Sequence, residues 1–104
     1  MGVNRVIQIA IYPGHGGNDP GAMDAKKRKE KDITLAISQK AQRMINRHKG
    51  FHASLTRSKD IYLDLLERIE IAQNKKADLL ISIHADSFKQ KKVRGAVVYT
   101  LSKR

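Results

Sequence analysis

The sequence predicts an α/β fold: α/β/α layers around a mostly parallel, twisted sheet, with elements in the order β-α-β-α-β-β. Three observations carry this prediction. Short apolar runs rich in β-branched residues alternate with segments of helical periodicity, and glycine or polar residues mark the junctions. At 104 residues the chain has the size of one modest domain. We therefore expect one domain over residues 1–104.

The first strand is predicted over residues 6–12, a nearly continuous apolar run that is typical of a strand covered on both faces. A glycine-rich loop and a polar, basic stretch follow it. Apolar residues at helical spacing predict a helix over residues 33–48. Asp32 is its expected N-cap and Gly50 its expected C′ residue, which leaves Glu30 on the loop before the helix.

The second half of the chain repeats the alternation. Residues 51–56 alternate between apolar and polar and predict a second strand, and residues 62–72 predict a second helix. Residues 79–83 form another buried-strand run, and residues 95–101 predict a fourth strand. Because strands alternate with helices, the connections should be right-handed crossovers between parallel strands.

The composition excludes several classes of site. The chain has no cysteine, so disulfides, thiol catalysis and cysteine-rich zinc sites are excluded, and any metal must be held by His, Asp or Glu. No apolar run reaches the roughly 20 residues that a membrane-spanning helix needs. The first residues lack the pattern of a secretion signal, so we expect that any export signal is not present in this chain.

The net charge of +11 is high for this length and favours polyanionic partners, such as nucleic acid, anionic membranes or anionic cell-wall polymers. Two basic segments, residues 26–31 and 89–94, contribute much of it. We interpret them as solvated loops, with steering of anionic polymers as the alternative. No recognition helix or aromatic-rich strand motif supports a nucleic-acid binder, so no nucleic-acid partner is expected.

Two histidines follow predicted strands where those strands end. His15 comes after the first strand and His84 after the third, and ligands of open α/β sheets bind beyond the carboxyl ends of strands. If the strands are parallel, both side chains emerge at one edge, within reach of Glu30. Two histidines and a carboxylate form a recognised catalytic zinc set. From spacing alone, ordinary polar residues remain an equal alternative.

A set of motifs then resembles one family, the zinc-dependent N-acetylmuramoyl-L-alanine amidases of bacterial cell walls. The matching segments occur in order and cover nearly the whole chain. They are PGHGG at 13–17, DPGA at 19–22, EKD at 30–32, TRSKD at 56–60, the pattern LxxRxxxA at 65–72, ADLLISIHAD at 77–86 and GAVVYTLS at 95–102.

The resemblance implies a function and a site. The family's Zn²⁺ ligands fall on His15, Glu30 and His84, and the implied reaction is attack of a zinc-activated water on the amide between N-acetylmuramic acid and L-alanine. The implied partner is peptidoglycan, in the periplasm or the extracellular cell wall. Residues 1–104 would then be the N-terminal portion of a single zinc amidase catalytic domain.

Two departures from the family pattern qualify this. The family's general base is a further glutamate on a later strand, which we expect beyond Arg104, so the chain alone should be weakly active or inactive. Where family members commonly carry Asp, this chain has Tyr12, and a carboxylate there would orient the first histidine ligand. A sheet edge normally covered by the later part would be exposed, which predicts self-association.

Two alternatives stay open. One is a degenerate, non-catalytic module that binds the cell wall or a metal. The other is phosphate binding by the glycine-rich loop, which is weaker because the loop matches neither GxxxxGK[ST] nor GxGxxG and no helix starts directly after it.

Overall fold

The fold is given by a computed structural model, which describes residues 5–84 and the backbone of residues 96–100. Its elements in chain order are β1 (Ile7–Pro13), α1 (Glu30–Asn46), β2 (Phe51–Leu55), α2 (Leu65–Asn74), β3 (Leu79–Ile83) and β4 (Ala96–Thr100). This order confirms the predicted α/β fold. No helix among the described residues is long and apolar enough to cross a membrane.

The four described strands form one sheet in the order β2-β1-β3-β4. β1 pairs in parallel with both β2 and β3, and β4 pairs antiparallel to β3. Since β2 and β4 are the edges of the described sheet, the expected self-association through an edge stays a prediction. β1 and β3 end at the same level, with Pro13 opposite Ile83. Whatever follows these two strands therefore emerges side by side.

The core lies on both faces of β1, because alternate side chains of a strand point to opposite faces. Ile9 and Ile11 pack with Ala53 of β2 on the face covered by α1. Ala10 packs on the other face with Leu80 of β3 and Ala72 of α2. The continuous apolar run of β1 is thus explained by a helix on each side of the sheet.

Helix α1 begins earlier than the sequence predicts. Its first residue is Glu30 and its N-cap is Lys29, which makes no side-chain capping hydrogen bond, so the expected cap at Asp32 is wrong. The reason is a tertiary contact. The Glu30 N–H donates to the carbonyl of Ala22 at 2.8 Å, and the Lys31 N–H donates to that of Pro20 at 3.0 Å. The preceding loop thus satisfies helix-end donors, including one that a capping side chain would otherwise take. Glu30 therefore lies on the helix rather than on a loop.

The other end of α1 also differs from its prediction. The helix ends at Asn46 with Arg47 as its C-cap, so Gly50 is not the C′ residue. Gly50 instead has a φ of +88° in the turn before β2, and its carbonyl accepts a hydrogen bond from the Ile7 N–H at 2.8 Å. The glycine serves the turn into the sheet.

Helix α2 begins at Leu65, three residues later than the apolar periodicity from Tyr62 predicts. A capping box sets this start: the Asp64 carboxylate accepts from the Glu67 N–H, and the Glu67 carboxylate accepts from the Asp64 N–H. Residues 61–64 therefore form a loop, which lies against the glycines after β1.

Candidate metal centre

The three residues predicted as metal ligands come together at the carboxyl end of the sheet. His15 lies two residues beyond β1, His84 directly follows β3, and Glu30 is the first residue of α1. One ligand atom from each side chain lies within 4.8 Å of the others. Glu30 is buried and the two histidines are half-buried. The structure thus gives the proximity that the strand ends predict, while the binding of a metal stays a prediction.

His15 is held through both nitrogens of its ring. Its Nε2 lies 3.0 Å from Oε2 of Glu30, and its Nδ1 lies 2.9 Å from Oδ2 of Asp19. The hydrogen bond with His15 is the main reason that the pKa of Asp19 is lowered. A carboxylate on one ring nitrogen fixes the tautomer and leaves the other nitrogen for a metal. Asp19 therefore has the orienting role that we expected from a carboxylate at the position of Tyr12.

Glu30 presents one carboxylate oxygen and has the other one fixed. Oε1 accepts a hydrogen bond from the Ala22 N–H at 3.0 Å, while Oε2 faces His15. Ala22 therefore binds Glu30 twice: its carbonyl accepts from the Glu30 N–H, and its own N–H donates to the Glu30 side chain. This arrangement limits the rotation of the carboxylate and directs one oxygen at the cluster.

His84 fits only because position 14 is a glycine. A Cβ built on Gly14 would lie 2.6 Å from both Cε1 and Nδ1 of the His84 ring. The His84 ring stands edge-on to that of His15, with centroids 5.5 Å apart and planes at 88°. The centroid of the Tyr12 ring is 6.0 Å from that of the His84 ring.

Two buried guanidinium groups hold the backbone of the loop that carries His15. Arg68 donates to the carbonyls of Pro13 at 3.4 Å and His15 at 3.2 Å, and Arg57 donates to that of Gly14 at 3.0 Å. Burial lowers the pKa of both arginines. His15 has a φ of 66°, in the left-handed region that costs energy for a non-glycine residue. These hydrogen bonds stabilise that backbone.

A second contact joins the glycine loop to α1. The Lys31 ammonium donates to the Gly17 carbonyl at 3.0 Å and to Oδ2 of Asp60 at 2.8 Å, and Oδ1 of Asp60 accepts from the Gly17 N–H at 2.8 Å. In the described part of the chain, Asp60 makes its ion pair with Lys31.

The basic residues of the first segment differ in their exposure to solvent. Lys31 is buried, with 8% of its surface exposed, so it does not belong to a solvated loop. Residues 26–29 are exposed as predicted. The second basic segment, residues 89–94, lies outside the described residues.

The donor set fits zinc. Two imidazoles and one carboxylate match a three-ligand catalytic zinc site, whereas calcium and magnesium favour oxygen ligands alone. The backbone leaves no room for a larger side chain near the cluster. A Cβ on Gly21 would lie 2.7 Å from Cδ2 of His15 and 2.8 Å from Oε1 of Glu30. The ligands are therefore packed tightly enough to be held in place.

Sequence reasoning missed the residues that hold the ligands. Asp19 is in the DPGA motif, four positions after His15, and that spacing was the available signal. Arg68 is a cation among the apolar positions of α2, and it contacts the loop of His15 although 53 positions separate them. Nothing in the local sequence pattern indicates that contact.

Comparison with known proteins gives a consistent result. The family model described as N-acetylmuramoyl-L-alanine amidase matches residues 9–104. The probable N-acetylmuramoyl-L-alanine amidase AmiB of Haemophilus influenzae is 48% identical over 99 residues, which cover 94% of this chain and 23% of that protein. The amidase AmiA of Escherichia coli K12 is 45% identical over 96 residues, which cover 92% of this chain and 33% of that protein.

Solved structures agree. The N-acetylmuramoyl-L-alanine amidase of Clostridium difficile 630 superposes with a TM-score of 0.75 at 36% identity, over 79% of this chain and 45% of that one. The catalytic domain of the amidase CwlV from Bacillus (Paenibacillus) polymyxa gives 0.73 at 35% identity, over 78% of this chain and 46% of that one. The chain spans a third or less of the two curated relatives. Since the family model matches nearly its whole length, the chain belongs to the N-acetylmuramoyl-L-alanine amidase family.

Proposed function

We propose that residues 1–104 form the N-terminal portion of a zinc amidase catalytic domain, and that this domain cuts the amide bond between N-acetylmuramic acid and L-alanine in peptidoglycan. One observation carries the proposal. His15, Glu30 and His84 come from three different elements, and their ligand atoms converge within 4.8 Å at the carboxyl end of the parallel strands. Membership of the amidase family supports peptidoglycan as the substrate.

In this proposal the zinc ion is held by the two histidines and by Glu30. When bound, zinc supplies polarisation of a carbonyl and activation of water. The surrounding residues prepare the ligands. Asp19 keeps a proton on Nδ1 of His15, which leaves Nε2 directed towards Glu30, and the Ala22 N–H fixes one Glu30 oxygen. Little movement is then needed to receive the ion.

Hydrolysis also needs a general base, and its loss commonly reduces rate about 10²–10⁴-fold. Among the described residues, two carboxylates that hydrogen-bond to the loop carrying His15 are already engaged. Asp19 is bound to His15, and Asp60 is paired with Lys31. We therefore expect this chain to bind zinc and, by itself, to hydrolyse peptidoglycan weakly or not at all.

Charge supports an anionic substrate. Residues 26–29 are exposed, basic and directly N-terminal to Glu30, so they lie beside the proposed metal ligand. With a net charge of +11, the chain would attract the anionic polymers of a cell wall towards that side of the molecule. A peptidoglycan substrate implies that the protein works in the periplasm or the extracellular cell wall.

The zinc content of the purified chain, measured by elemental analysis, tests the proposal. We expect about one zinc per chain, as for a three-ligand site, and its loss in His84→Ala. His52→Ala is the matched control, because His52 is an exposed histidine near the opposite end of the sheet and should leave the zinc content unchanged. Absence of zinc in the unchanged chain, or its retention in His84→Ala, would contradict the proposed site.

A further inference from the structure

We infer that Arg68 and Tyr12 are positioning residues that together set the geometry of both histidine ligands. Arg68 holds His15 by donating a hydrogen bond to its backbone carbonyl. The Tyr12 ring stacks on Arg68 and also neighbours the ring of His84, so it links Arg68 to the second histidine. The inference rests on the proposed function, because it concerns the ability of the same site to bind zinc.

Arg68 is buried in an unusual setting. Only 2% of its surface is exposed, and no carboxylate forms an ion pair with it among residues 5–84. Its guanidinium instead donates to the carbonyls of Leu63, Pro13 and His15, and its Cζ lies 3.8 Å from the centroid of the Tyr12 ring. A planar guanidinium suits this combination, since it can stack on a ring while its edge donates hydrogen bonds. The Arg68 guanidinium is therefore held on its face by the Tyr12 ring and along its edge by the three carbonyls.

The contact with His15 controls the direction of that side chain. Arg68 Nη2 donates to the His15 carbonyl at 3.2 Å, at a residue whose φ of 66° is unfavourable without such support. Nη1 reaches the Pro13 carbonyl two residues earlier. Two peptide units on either side of Gly14 are thus held by one group, and the direction in which the His15 side chain leaves the loop depends on them.

The contact with His84 runs through Tyr12. The Tyr12 ring is stacked on Arg68, and its centroid is 6.0 Å from that of His84. In the parallel register Tyr12 lies opposite Ser82, two residues before His84. Side chains two residues apart on a strand share a face, so Tyr12 stands beside His84 on the side towards α2. The Tyr12 ring thus lies next to the His84 ring on that face of the sheet.

These contacts affect zinc binding beyond simple folding stability. The affinity of a metal site depends on how well its ligands are held in converging positions, and loss of an outer support commonly lowers it about 10–100-fold. One buried side chain on α2 here supports two ligands on different elements. Removing the stack should therefore weaken zinc binding more than an equally destabilising change elsewhere.

The test compares three variants for zinc dissociation constant, by competition with a chelator, and for the visible absorption spectrum of the cobalt-loaded protein. Tyr12→Leu removes the ring and should weaken zinc binding about 10–100-fold and shift the cobalt bands. Tyr12→Phe keeps the ring and should stay within roughly threefold of the unchanged chain, because stacking on a guanidinium needs only the ring. If Arg68→Met folds, it should weaken zinc binding as Tyr12→Leu does. If it does not fold, the comparison of Tyr12→Leu with Tyr12→Phe tests the inference.

The control is Asp78→Asn. Asp78 accepts hydrogen bonds from Arg5 and from the Gln8 N–H, at the opposite end of the sheet from the metal centre. It should lower the melting temperature of the metal-free protein and leave zinc affinity and cobalt bands unchanged. Unaltered zinc binding in Tyr12→Leu would overturn the inference alone. So would an equal loss in Asp78→Asn, since stability would then explain it. Absence of zinc binding by the unchanged chain would overturn the proposed function, and the inference with it.

Discussion

At the scale of single residues, one carboxylate oxygen determines which nitrogen of His15 faces the proposed metal centre. Oδ2 of Asp19 forms a hydrogen bond with Nδ1 of His15, so Nε2 of the same ring faces Glu30. The other oxygen of Asp19 accepts from the Gly21 N–H at 3.1 Å, which keeps the carboxylate in place. Asp19 thus fixes the orientation of the imidazole ring from within the first loop.

Substituting Asp19 should therefore weaken the site without removing a ligand. We expect Asp19→Ala to lower zinc affinity about 10–100-fold, as is common for a partner of a ligating histidine. Chelator competition measures this directly. Asp24→Ala is the control, because Asp24 caps a turn in the same loop through the N–H groups of Lys26 and Arg28 and touches no proposed ligand. Equal zinc affinities for the two variants would contradict the role of Asp19.

A second change at this scale concerns Gly14. A methyl group there would lie 2.6 Å from the His84 ring, so Gly14→Ala should displace that ring and abolish or strongly weaken zinc binding. Gly50→Ala is the matched control. No atom lies within 4 Å of a Cβ at Gly50, but its φ is +88°, so it should cost about 1 kcal/mol of stability through backbone strain alone. Zinc titration and thermal unfolding of both variants separate the two effects.

At the scale of the elements, the N-terminal end of α1 is joined to the glycine loop by Lys31 and Asp60. The hydrogen bond from Lys31 lowers the pKa of Asp60 below its usual range. The folded chain therefore releases this proton at a lower pH than the unfolded chain does. The stabilisation is complete above the ordinary carboxyl pKa of about 4 and is lost as the pH falls through the lowered value.

Asp60→Asn should therefore be less stable than the unchanged chain at pH 7. The difference should shrink as the pH falls from about 4 through the lowered pKa of Asp60, because only below that pKa are both folded chains neutral at this position. Urea unfolding midpoints at pH 7 and pH 3 measure the difference. A gap that stays constant between the two pH values would show that the charge of Asp60 contributes nothing.

The N-cap of α2 can be tested by mutation, and it matters for the site because α2 carries Arg68. Asp64→Ala removes one half of the capping box and should cost about 1 kcal/mol of unfolding free energy. Glu70→Ala, at an exposed position of the same helix, should change stability far less. Denaturant unfolding of both variants checks this, and equal stabilities would show that the cap is unimportant.

The elements also show the limit of prediction from sequence. The continuous apolar runs of β1 and β3 predicted buried parallel strands, because only such strands are covered on both faces. The start of α1 was missed, since a carbonyl of the preceding loop takes the place of a capping side chain. Tyr62 fits the helical periodicity of α2 but precedes its cap at Asp64. The start of α2 is set by a capping box that is visible in the sequence but was outweighed by the periodicity, whereas the start of α1 depends on a tertiary contact that the sequence does not reveal.

At the scale of the whole molecule, the proposed metal joins β1, α1 and β3 at one point. A ligand that binds only the folded chain stabilises it, by about 2.7 kcal/mol when its concentration is 100 times the dissociation constant. We expect zinc to raise the melting temperature of the chelator-treated protein, and to have no such effect on His84→Ala. Differential scanning calorimetry measures both, and an equal shift in the two proteins would indicate zinc bound elsewhere.

The parts of the site that follow from strand topology could be predicted from the sequence, and the parts that depend on helix packing or loop conformation could not. His15 and His84 could be placed together because parallel strands bring their carboxyl ends to one edge. Arg68 could not, since its contact with the His15 carbonyl depends on how α2 packs across the sheet. The orienting role of Asp19 depends on a loop conformation with left-handed residues that spacing does not reveal.

The common ending of β1 and β3 restricts how relatives of this chain can vary in length. Pro13 lies opposite Ile83, and one histidine follows closely on each side. Inserting or deleting one residue within either strand would turn its later side chains to the other face of the sheet and carry one histidine away from its partner. Insertions and deletions should therefore accumulate in the exposed stretch of residues 25–29 and be rare between residues 7–15 and 79–84.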